Sequence, residues 1–467
     1  MKLSEVFSSN SANSSLEKNL KEFFVDPPFV LAASNLNPRL PVSVFSGLKG
    51  TGKTAMFRAL TEFYKLPNIV LKFSPKTNRI NINDSSLTQV TYSYIVEYEM
   101  IMEILNSVKE SKQISTVLKK KVNKHIKPFW AGLKQVLGKV LQVNILGCGV
   151  AIANQDNCDL VNLYSKVEEN KAKDILKEVC DSGLSMRLVI DDPEDIFTSG
   201  SSIDPILLGG LWLATARMND SFPNLRVIIL MKTYVFDQII NKIKDLDNFP
   251  DSFKKISWNE DTLIELIYKR LVYFTGCNSQ TWERILLGEN FSRKNADDLY
   301  KYLISNIQNG PRDMIRWLYL AAKFAEKQGL DYICIDHLQS TFGKLCEVGL
   351  QRFSSVYEKY QRINEVLKTI FVNNLLQQFT IEELEKHIER LVFENNKYRT
   401  LLDLDWMQNY LPSELIELFF RLGVFIFIKD GLKILPYMKE YSLDAFKNSD
   451  KIILAPIFSH SFAEPRK

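Results

Sequence analysis

The stretch FSGLKGTGKTAMFRAL, residues 45–60, matches the phosphate-loop pattern in full. Gly47 is followed by four residues and then by Gly52, Lys53 and Thr54. By chance the pattern arises in roughly one chain per hundred of this length. The alternative is a glycine-rich turn before a solvated lysine, and the flanking sequence has to decide between the two.

The flanking segments have the periodicity of a strand and a helix. A phosphate loop needs both, because the loop amides and the positive end of the helix must point together at the phosphates. PVSVFSG alternates β-branched and small residues as a short buried strand does. KTAMFRALTEFYK carries Met56, Leu60 and Phe63 at helical spacing, and NIVLKFS at 68–74 indicates a second strand. The sequence therefore predicts a βαβ unit around the loop.

A pair of acidic residues ends another apolar run, MRLVIDDPEDIF at 186–197. Mg²⁺ bound to a nucleotide is a hard ion that prefers oxygen ligands, and an acidic residue across the sheet can meet it. Asp191 is predicted to orient the magnesium water shell, and Asp192 to polarise the attacking water. Two acids after an apolar triplet are common by accident, so the pair gains its meaning from the loop.

A third apolar strand is predicted at 226–231 within NLRVIILMKTYVFDQI, and it ends in Lys232 and Thr233. The carboxyl ends of strands face the ligand in nucleotide-binding sheets, so this pair is a candidate sensor of the γ-phosphate. The alternative is a solvated lysine at a strand end.

Together these motifs resemble the P-loop ATPases of the AAA+ superfamily, nearest to the bacterial ORC-like and STAND-like branch. GLKGTGKT and RLVIDD match its two nucleotide motifs, and LMKTYVF lies where such proteins carry a sensor strand. Lys232 departs from the usual asparagine or arginine of that strand. Asp192 stands where many relatives carry glutamate, which implies slow hydrolysis. The resemblance implies an α/β fold, with a P-loop NTPase parallel sheet, a helical lid and a mostly helical, winged-helix-like C-terminal domain.

The resemblance also assigns the nucleotide site. Lys53 would neutralise the β- and γ-phosphate oxygens, Thr54 and Asp191 would hold Mg²⁺, and Asp192 would orient water. The predicted ATP-binding residues of the loop are Gly47, Gly50, Thr51, Gly52, Lys53, Thr54 and Ala55.

Two arginines are further candidates. NGPRDMIRWLYLAAKFA at 309–325 resembles the second-sensor helix of the family's lid, with Arg312 placed to reach the phosphates. An arginine in a first helical turn opposes the helix dipole, which favours a partner anion, although a surface ion pair explains it equally well. Arg217 lies near the carboxyl end of the helix after the acidic strand, where oligomeric relatives carry a trans-acting arginine finger. A cation at a helix carboxyl end is also favourable by itself.

Composition limits the class of protein. The 467 residues are 46% hydrophobic with a net charge of +4, as expected for several globular domains and not for a dedicated nucleic-acid coat. Six cysteines without a CxxC pair are predicted to be core residues in a reducing compartment. The amino terminus lacks the apolar core of a secretory signal, so we expect a cytoplasmic protein. The apolar stretch 136–155 is interrupted by polar residues and is predicted to be a β-hairpin turning at 147–149, not a membrane span.

The predicted organisation has four parts. These are an N-terminal helical extension at 1–40, a nucleotide-binding α/β domain at 41–255, a helical lid at 256–335 and a C-terminal domain at 336–467. An insertion at 109–158 carries the basic segment LKKKVNKHIKPFWAGLKQ with Phe129 and Trp130. This segment could contact nucleic acid through phosphates and stacking, or dock a partner protein, or form a charged solvated helix.

The lid is predicted to begin with a helix at 258–271, and the chain becomes helical again from about 335. In the C-terminal domain, Thr380 and Glu383 form a capping-box pattern. A helix at 413–422, a strand at 424–429, an Asp430-Gly431 turn and a strand to Pro436 give the order of a winged-helix unit. Its helix is acidic, which favours a protein partner over DNA.

These patterns predict an ATP-binding and ATP-hydrolysing regulatory switch, in which ATP clamps the lid and loss of the γ-phosphate releases it. The resemblance implies assembly into a homo-oligomer and control of a protein effector, for example in bacterial antiphage defence. Two alternatives stay open. One is a nucleic-acid-binding regulator or scaffold that holds nucleotide with little turnover, and the other is an ATPase that loads onto DNA.

Overall fold

The computed structural model divides the chain into two compact units. The sheet unit comprises Pro28–Ser46 and Met56–Lys254, and the helical unit comprises Met1–Pro27, Gly47–Ala55 and Lys255–Lys467. The structure describes residues 2–8, 19–34, 44–63, 69–73, 89–109, 111, 114–124, 166–193, 198–199, 202–203, 205–239, 253–288, 291–308, 310–356, 360–372, 378–394, 404–407 and 410–463.

A five-stranded sheet in the order β2-β3-β6-β1-β7 forms the centre of the sheet unit, and β4 and β5 form a separate two-stranded ribbon. The strands are β1 (Val44–Gly47), β2 (Ile69–Lys72), β3 (Met186–Asp191), β4 (Thr198–Ser199), β5 (Ser202–Ile203), β6 (Leu225–Lys232) and β7 (Phe253–Lys255). β2 pairs with β3, and β3 with β6, in parallel register. The prediction of an α/β fold with a parallel sheet is confirmed.

The sheet unit also contains helices among its described residues, and β3 and β6 are almost entirely buried. The helices are Pro28–Ser34, Gln89–Val108, 116–124, Lys166–Asp181, Pro205–Ser221 and Thr233–Ile239. Gly209 and Gly210 let Pro205–Ser221 approach Gln89–Val108 closely, since a Cβ at either glycine would come within 2.7 Å of a side-chain atom of that helix. The close approach buries a continuous apolar core between the helices and the sheet.

The predicted βαβ elements around the loop are present. β1 leads into the loop, which is followed by the helix Lys53–Arg58, a π-helical turn at Ala59–Phe63, and β2. Met56 and Leu60 are fully buried, as their helical spacing predicts. The two other strands predicted to end in polar residues appear as β3 and β6.

The helical unit consists mainly of helices, several of which pack against one another. They are Leu3–Val6, the 3-10 helix Leu20–Phe23, Glu260–Thr275, Trp282–Leu287, Arg293–Asn306, Pro311–Lys327, Ile335–Val356, Ile363–Phe371, Ile381–Ile388 with a π-helical turn at Glu389–Glu394, Pro412–Arg421, Leu443–Lys447 and Pro456–Phe462. Pro311 occupies the first helical turn of its helix, where its missing N–H costs nothing.

The C-terminal elements follow the predicted helix, strand, turn and strand order. Pro412–Arg421 precedes β8 (Phe425–Lys429) and β9 (Leu432–Ile434), and the turn residues Asp430 and Gly431 have φ angles of 51° and 75°. Two positive φ angles are typical of a tight hairpin turn. The sequence did not predict β10 (Lys451–Leu454), which pairs antiparallel with β8 on the side opposite β9.

Most of the predicted insertion at 109–158 lies outside the described residues. Within it, residues 116–124 are helical. Phe129, Trp130 and the predicted hairpin at 147–149 belong to the part that the structure does not describe. Among the helices it does describe, none combines the length and the apolar character needed to cross a membrane.

Candidate functional site

The loop between β1 and Lys53–Arg58 has a backbone that only glycine adopts easily. Gly50 and Gly52 have φ angles of 102° and 98°. At Gly47, a Cβ would come within 2.4 Å of Thr51 Oγ1 and 3.2 Å of Ile256 Cβ, so no larger residue fits. Gly50 and Gly52 are therefore favoured by their positive φ angles, and Gly47 by the lack of room for a Cβ.

The side chain of Lys53 lies against the backbone of this loop. It is 7% exposed, and Nζ donates hydrogen bonds to Gly47 O at 2.9 Å and to Leu48 O at 3.2 Å. A lysine at a solvated turn would extend into water, because burial of an ammonium group is costly. The loop thus carries a buried positive charge at the start of a helix, which is an arrangement suited to an anion.

Thr51 and Trp258 fix the middle of the loop. Thr51 Oγ1 donates to Leu48 O at 2.8 Å, and the indole Nε1 of Trp258 donates to Thr51 O at 2.8 Å. Sequence reasoning missed Trp258. Its only local signal is a large aromatic residue directly before Asn259, the N-cap of Glu260–Thr275.

The acidic pair lies at the carboxyl end of β3. Asp191 is the last residue of the strand, and Asp192 follows with a φ of 45° while its N–H donates to Leu230 O at 3.0 Å. Oδ1 of Asp192 is buried and accepts no hydrogen bond from the part of the chain that the structure describes. A strained backbone and an unsatisfied carboxylate oxygen are features that cluster at functional sites.

The polar pair after β6 lies at the same edge of the sheet, because β3 and β6 run parallel. Lys232 ends the strand and Thr233 begins the next helix. Thr233 Oγ1 is buried without a hydrogen-bond partner among the described residues. Asp192 Oδ1 and Thr233 Oγ1 are therefore buried oxygen atoms directly after two neighbouring strands. The sheet order places β6 between β3 and β1.

Arg312 is the second residue of Pro311–Lys327 and is half-buried. Gly310, the N-cap residue of this helix, lies close to the same indole that holds the loop, since a Cβ on Gly310 would be 3.5 Å from Trp258 Cδ1. The amino end of the Arg312 helix and Thr51 thus flank one tryptophan.

Arg217 is bound within its own unit. Its Nε donates to Glu97 Oε2 at 2.7 Å, a second nitrogen donates to Ser93 Oγ at 2.7 Å, and the guanidinium carbon lies 4.4 Å from the centre of the Tyr94 ring. These contacts account for the arginine inside its own chain, and its trans-acting role stays a prediction.

The residues fit a magnesium ion that arrives with a nucleotide. Within the described ranges, no group of three or more His, Cys, Asp or Glu side chains could hold a metal ion by itself. Mg²⁺ in nucleotide sites keeps most of its ligands as water and phosphate oxygens and takes only one or two from the protein. Buried oxygens at the ends of β3 and β6 are the ligand type that this ion prefers.

Comparisons with known proteins give distant structural likenesses. No protein-family model and no curated protein matches this chain. Solved structures that match include the Walker-type ATPase PABY2304 of Pyrococcus abyssi, with 13% identity over 94% of this chain and 95% of that chain and a TM-score of 0.40. The ORC2 protein of Aeropyrum pernix, solved in ADPNP–ADP complexes, is 11% identical over 97% of this chain and 93% of that chain, with a TM-score of 0.40. The ORC1 protein of Aeropyrum pernix, solved in complex with DNA, is 11% identical over 90% of this chain and 86% of that chain, with a TM-score of 0.34.

Proposed function

We propose that the chain binds ATP at Gly47–Ala55 and hydrolyses it as a regulatory switch of the AAA+ P-loop type. The single observation that carries this proposal is the loop itself. It combines two glycines at positive φ, a third glycine with no room for a Cβ, and a buried lysine ammonium at a helix start. Backbone amides of such a loop and one ammonium group suit a polyphosphate.

The roles of the individual residues follow the sequence prediction. Lys53 would neutralise phosphate oxygens, Thr54 and Asp191 would hold the magnesium ion, and Asp192 would orient the attacking water. The ion, when bound with ATP, supplies charge neutralisation of the phosphates. Support for Asp192 comes from its strained backbone and from its buried oxygen, which has no hydrogen-bond donor among the described residues.

The switch output is proposed from the resemblance and from the position of Arg312 in the first turn of Pro311–Lys327. Arg312 would report the nucleotide to the helices at 256–335, and a second copy of the chain or a protein effector would respond. A role in antiphage defence is implied by the resemblance alone.

The experiment is a comparison of wild type with Lys53→Ala. Titration with Mg·ADP by calorimetry and a phosphate-release assay with ATP are run on the full chain. We expect wild type to bind and to release phosphate, and Lys53→Ala to lose at least about tenfold in affinity, since it loses a buried charge that pairs with phosphate.

Lys447→Ala is the control, because Lys447 forms a surface ion pair with Glu417 at 2.6 Å. It should behave like wild type. Failure of the wild-type chain to bind nucleotide, or equal binding by Lys53→Ala, would contradict the proposal.

The second candidate is a nucleotide-holding scaffold with little turnover. The observation that favours it is the aspartate at position 192, which has a shorter side chain than glutamate. Binding without phosphate release in wild type selects this candidate. DNA loading predicts stimulation of phosphate release by DNA and a steep salt dependence.

A further inference from the structure

The loop Gly47–Ala55 is held in place by contacts with residues that lie far along the chain. Leu48 packs against Gly423, where an added Cβ would be 3.4 Å from Leu48 Cδ1. Trp258 donates its indole hydrogen bond to Thr51 O, and its ring passes 3.6 Å from the position of a Cβ on Gly52. All of these residues belong to the helical unit.

Both supports are anchored on the C-terminal helix–hairpin, residues 412–441. Gly423 follows the helix Pro412–Arg421 with a φ of 76°, and Gln308 donates its amide hydrogen bond to Gly423 O. The backbone N–H of Trp258 donates to Tyr437 O at 2.9 Å. Tyr437 is fully buried, and its hydroxyl donates to Ile304 O at 3.0 Å.

The indole hydrogen bond has a consequence for the amide that follows Thr51. A trans peptide is planar, with its C=O and N–H pointing in opposite directions. Because Trp258 holds the Thr51 carbonyl, it also fixes the direction of the Gly52 N–H, which points away from the indole. Gly52 can rotate more freely than any other residue type, so this amide needs an external restraint to be preorganised.

We propose that Trp258 is a positioning residue for the phosphate loop, and that through it the C-terminal helix–hairpin is energetically coupled to nucleotide binding. The coupling of the helix–hairpin to nucleotide binding rests on the proposed function. Linkage is reciprocal, so a partner that displaces the helix–hairpin changes nucleotide affinity by the same factor by which nucleotide changes the partner's affinity.

Three substitutions in the full chain test the proposal. Trp258→Phe removes the N–H donor and keeps an aromatic ring. Tyr437→Phe removes only the hydroxyl that anchors the helix–hairpin. The matched control is Trp317→Phe, because Trp317 is also fully buried in the helical unit and donates Nε1 to a backbone carbonyl, Leu338 O, at 2.9 Å.

The first measurement is amide hydrogen exchange without nucleotide, read by mass spectrometry. Trp258→Phe and Tyr437→Phe should each speed exchange of peptides covering 47–55 about fivefold, the change expected from loss of one ordinary hydrogen bond. Trp317→Phe should speed exchange near 335–345 and leave 47–55 as in wild type. Unchanged loop exchange in Trp258→Phe, or an equal change in the control, overturns the inference.

The second measurement is calorimetric titration with Mg·ADP. Trp258→Phe and Tyr437→Phe should bind about fivefold more weakly than wild type, and Trp317→Phe should bind like wild type. Wild-type affinity in both variants overturns the coupling. If the wild-type chain binds no Mg·ADP, the proposed function and the coupling fail together, while the exchange data still decide whether Trp258 positions the loop.

Discussion

At the scale of single residues, Asp192 combines an unusual backbone conformation with a carboxylate side chain at the end of β3. Its φ of 45° lies in the left-handed region, where aspartate and asparagine are tolerated better than other non-glycine residues. The bond from its N–H to Leu230 O continues the ladder of β3 and holds this conformation. The residue type therefore meets a backbone need and supplies a carboxylate.

Asp192→Asn separates the two requirements. Asparagine tolerates the same backbone and lacks the charge, so the free energy of unfolding should stay within about 0.5 kcal/mol of wild type. Phosphate release should fall at least about a hundredfold if the carboxylate orients water, with Mg·ADP affinity retained. Denaturant titration, calorimetry and a phosphate assay measure the three quantities.

Asp192→Ala provides the comparison. It should lose about 1 kcal/mol more stability than Asp192→Asn, because alanine resists the left-handed conformation. Equal phosphate release by Asp192→Asn and wild type would remove Asp192 from the proposed site.

At the scale of elements, a buried charge cluster joins Gln89–Val108 to its neighbours. Glu97 is 1% exposed and forms ion pairs with Lys173 and Arg217, both at 2.7 Å. A carboxylate this deeply buried is retained only when cations and hydrogen bonds satisfy it. The cluster therefore holds Lys166–Asp181 and Pro205–Ser221 against the central helix.

Two substitutions at this cluster distinguish a structural arginine from a trans-acting one. Glu97→Gln should lower the free energy of unfolding by about 3 kcal/mol, because it leaves two cations without their partner. Arg217→Ala should lower it by less, since Lys173 still pairs with Glu97. Phosphate release per folded molecule of Arg217→Ala should match wild type, whereas loss of a trans-acting finger would lower it about a thousandfold.

Another element-scale feature is the histidine in the first turn of Ile335–Val356. The N–H of Cys334 donates to Nδ1 of His337 at 3.2 Å, so the ring takes the place that a glutamate or glutamine has in a capping box. Burial lowers the pKa of His337, against an opposing contribution from Asp336. The folded chain thus favours the neutral ring, whose Nδ1 can accept.

A pH dependence follows from the direction of this shift. Because the folded pKa lies below the unfolded value of about 6.5, the unfolded chain binds the proton more readily. Stability should be full above about pH 6.5 and should fall as the pH drops below it. His337→Gln keeps an acceptor and does not titrate, so its melting temperature should fall less between pH 7.5 and 5.5, the range to scan. Parallel curves for the two proteins would exclude His337 as a source.

At the scale of the whole molecule, the amino-terminal segment belongs to the helical unit. Arg270 is 3% exposed, donates to Val6 O at 3.1 Å, and lies 4.9 Å from the centre of the Phe23 ring. Lys269 Nζ donates to Phe24 O at 2.9 Å. One helix, Glu260–Thr275, thus holds both described parts of the segment that precedes Pro28.

Arg270→Met should release this segment. The loss of a charge-assisted hydrogen bond and of the ring contact should speed proteolytic cleavage within residues 2–27 about tenfold, because cleavage follows the population of the open form. Arg284→Met is the control, since Arg284 is exposed and lies 5.6 Å from the Phe291 ring. Limited proteolysis with mass spectrometry gives both rates, and equal rates would mean that Arg270 does not hold the segment.

Features set by neighbours three or four residues apart could be predicted from sequence. The phosphate-loop pattern, the buried runs of β3 and β6 and the Asp430-Gly431 turn are such features. The capping box at Thr380 is another: the N–H of Glu383 donates to Thr380 Oγ1 at 3.2 Å, and the N–H of Thr380 donates to Glu383 Oε2 at 2.7 Å. Local hydrogen bonding and hydrophobic periodicity specify these elements, and both can be read from neighbouring positions in the sequence.

Partners far apart in sequence were decided only by the tertiary structure. Glu97, which holds Arg217, lies 120 positions away from it, and Trp258 lies 207 positions from Thr51. The grouping of the loop with Lys255–Lys467 has the same origin. No periodicity encodes such pairs, because burial and packing of whole elements bring them together.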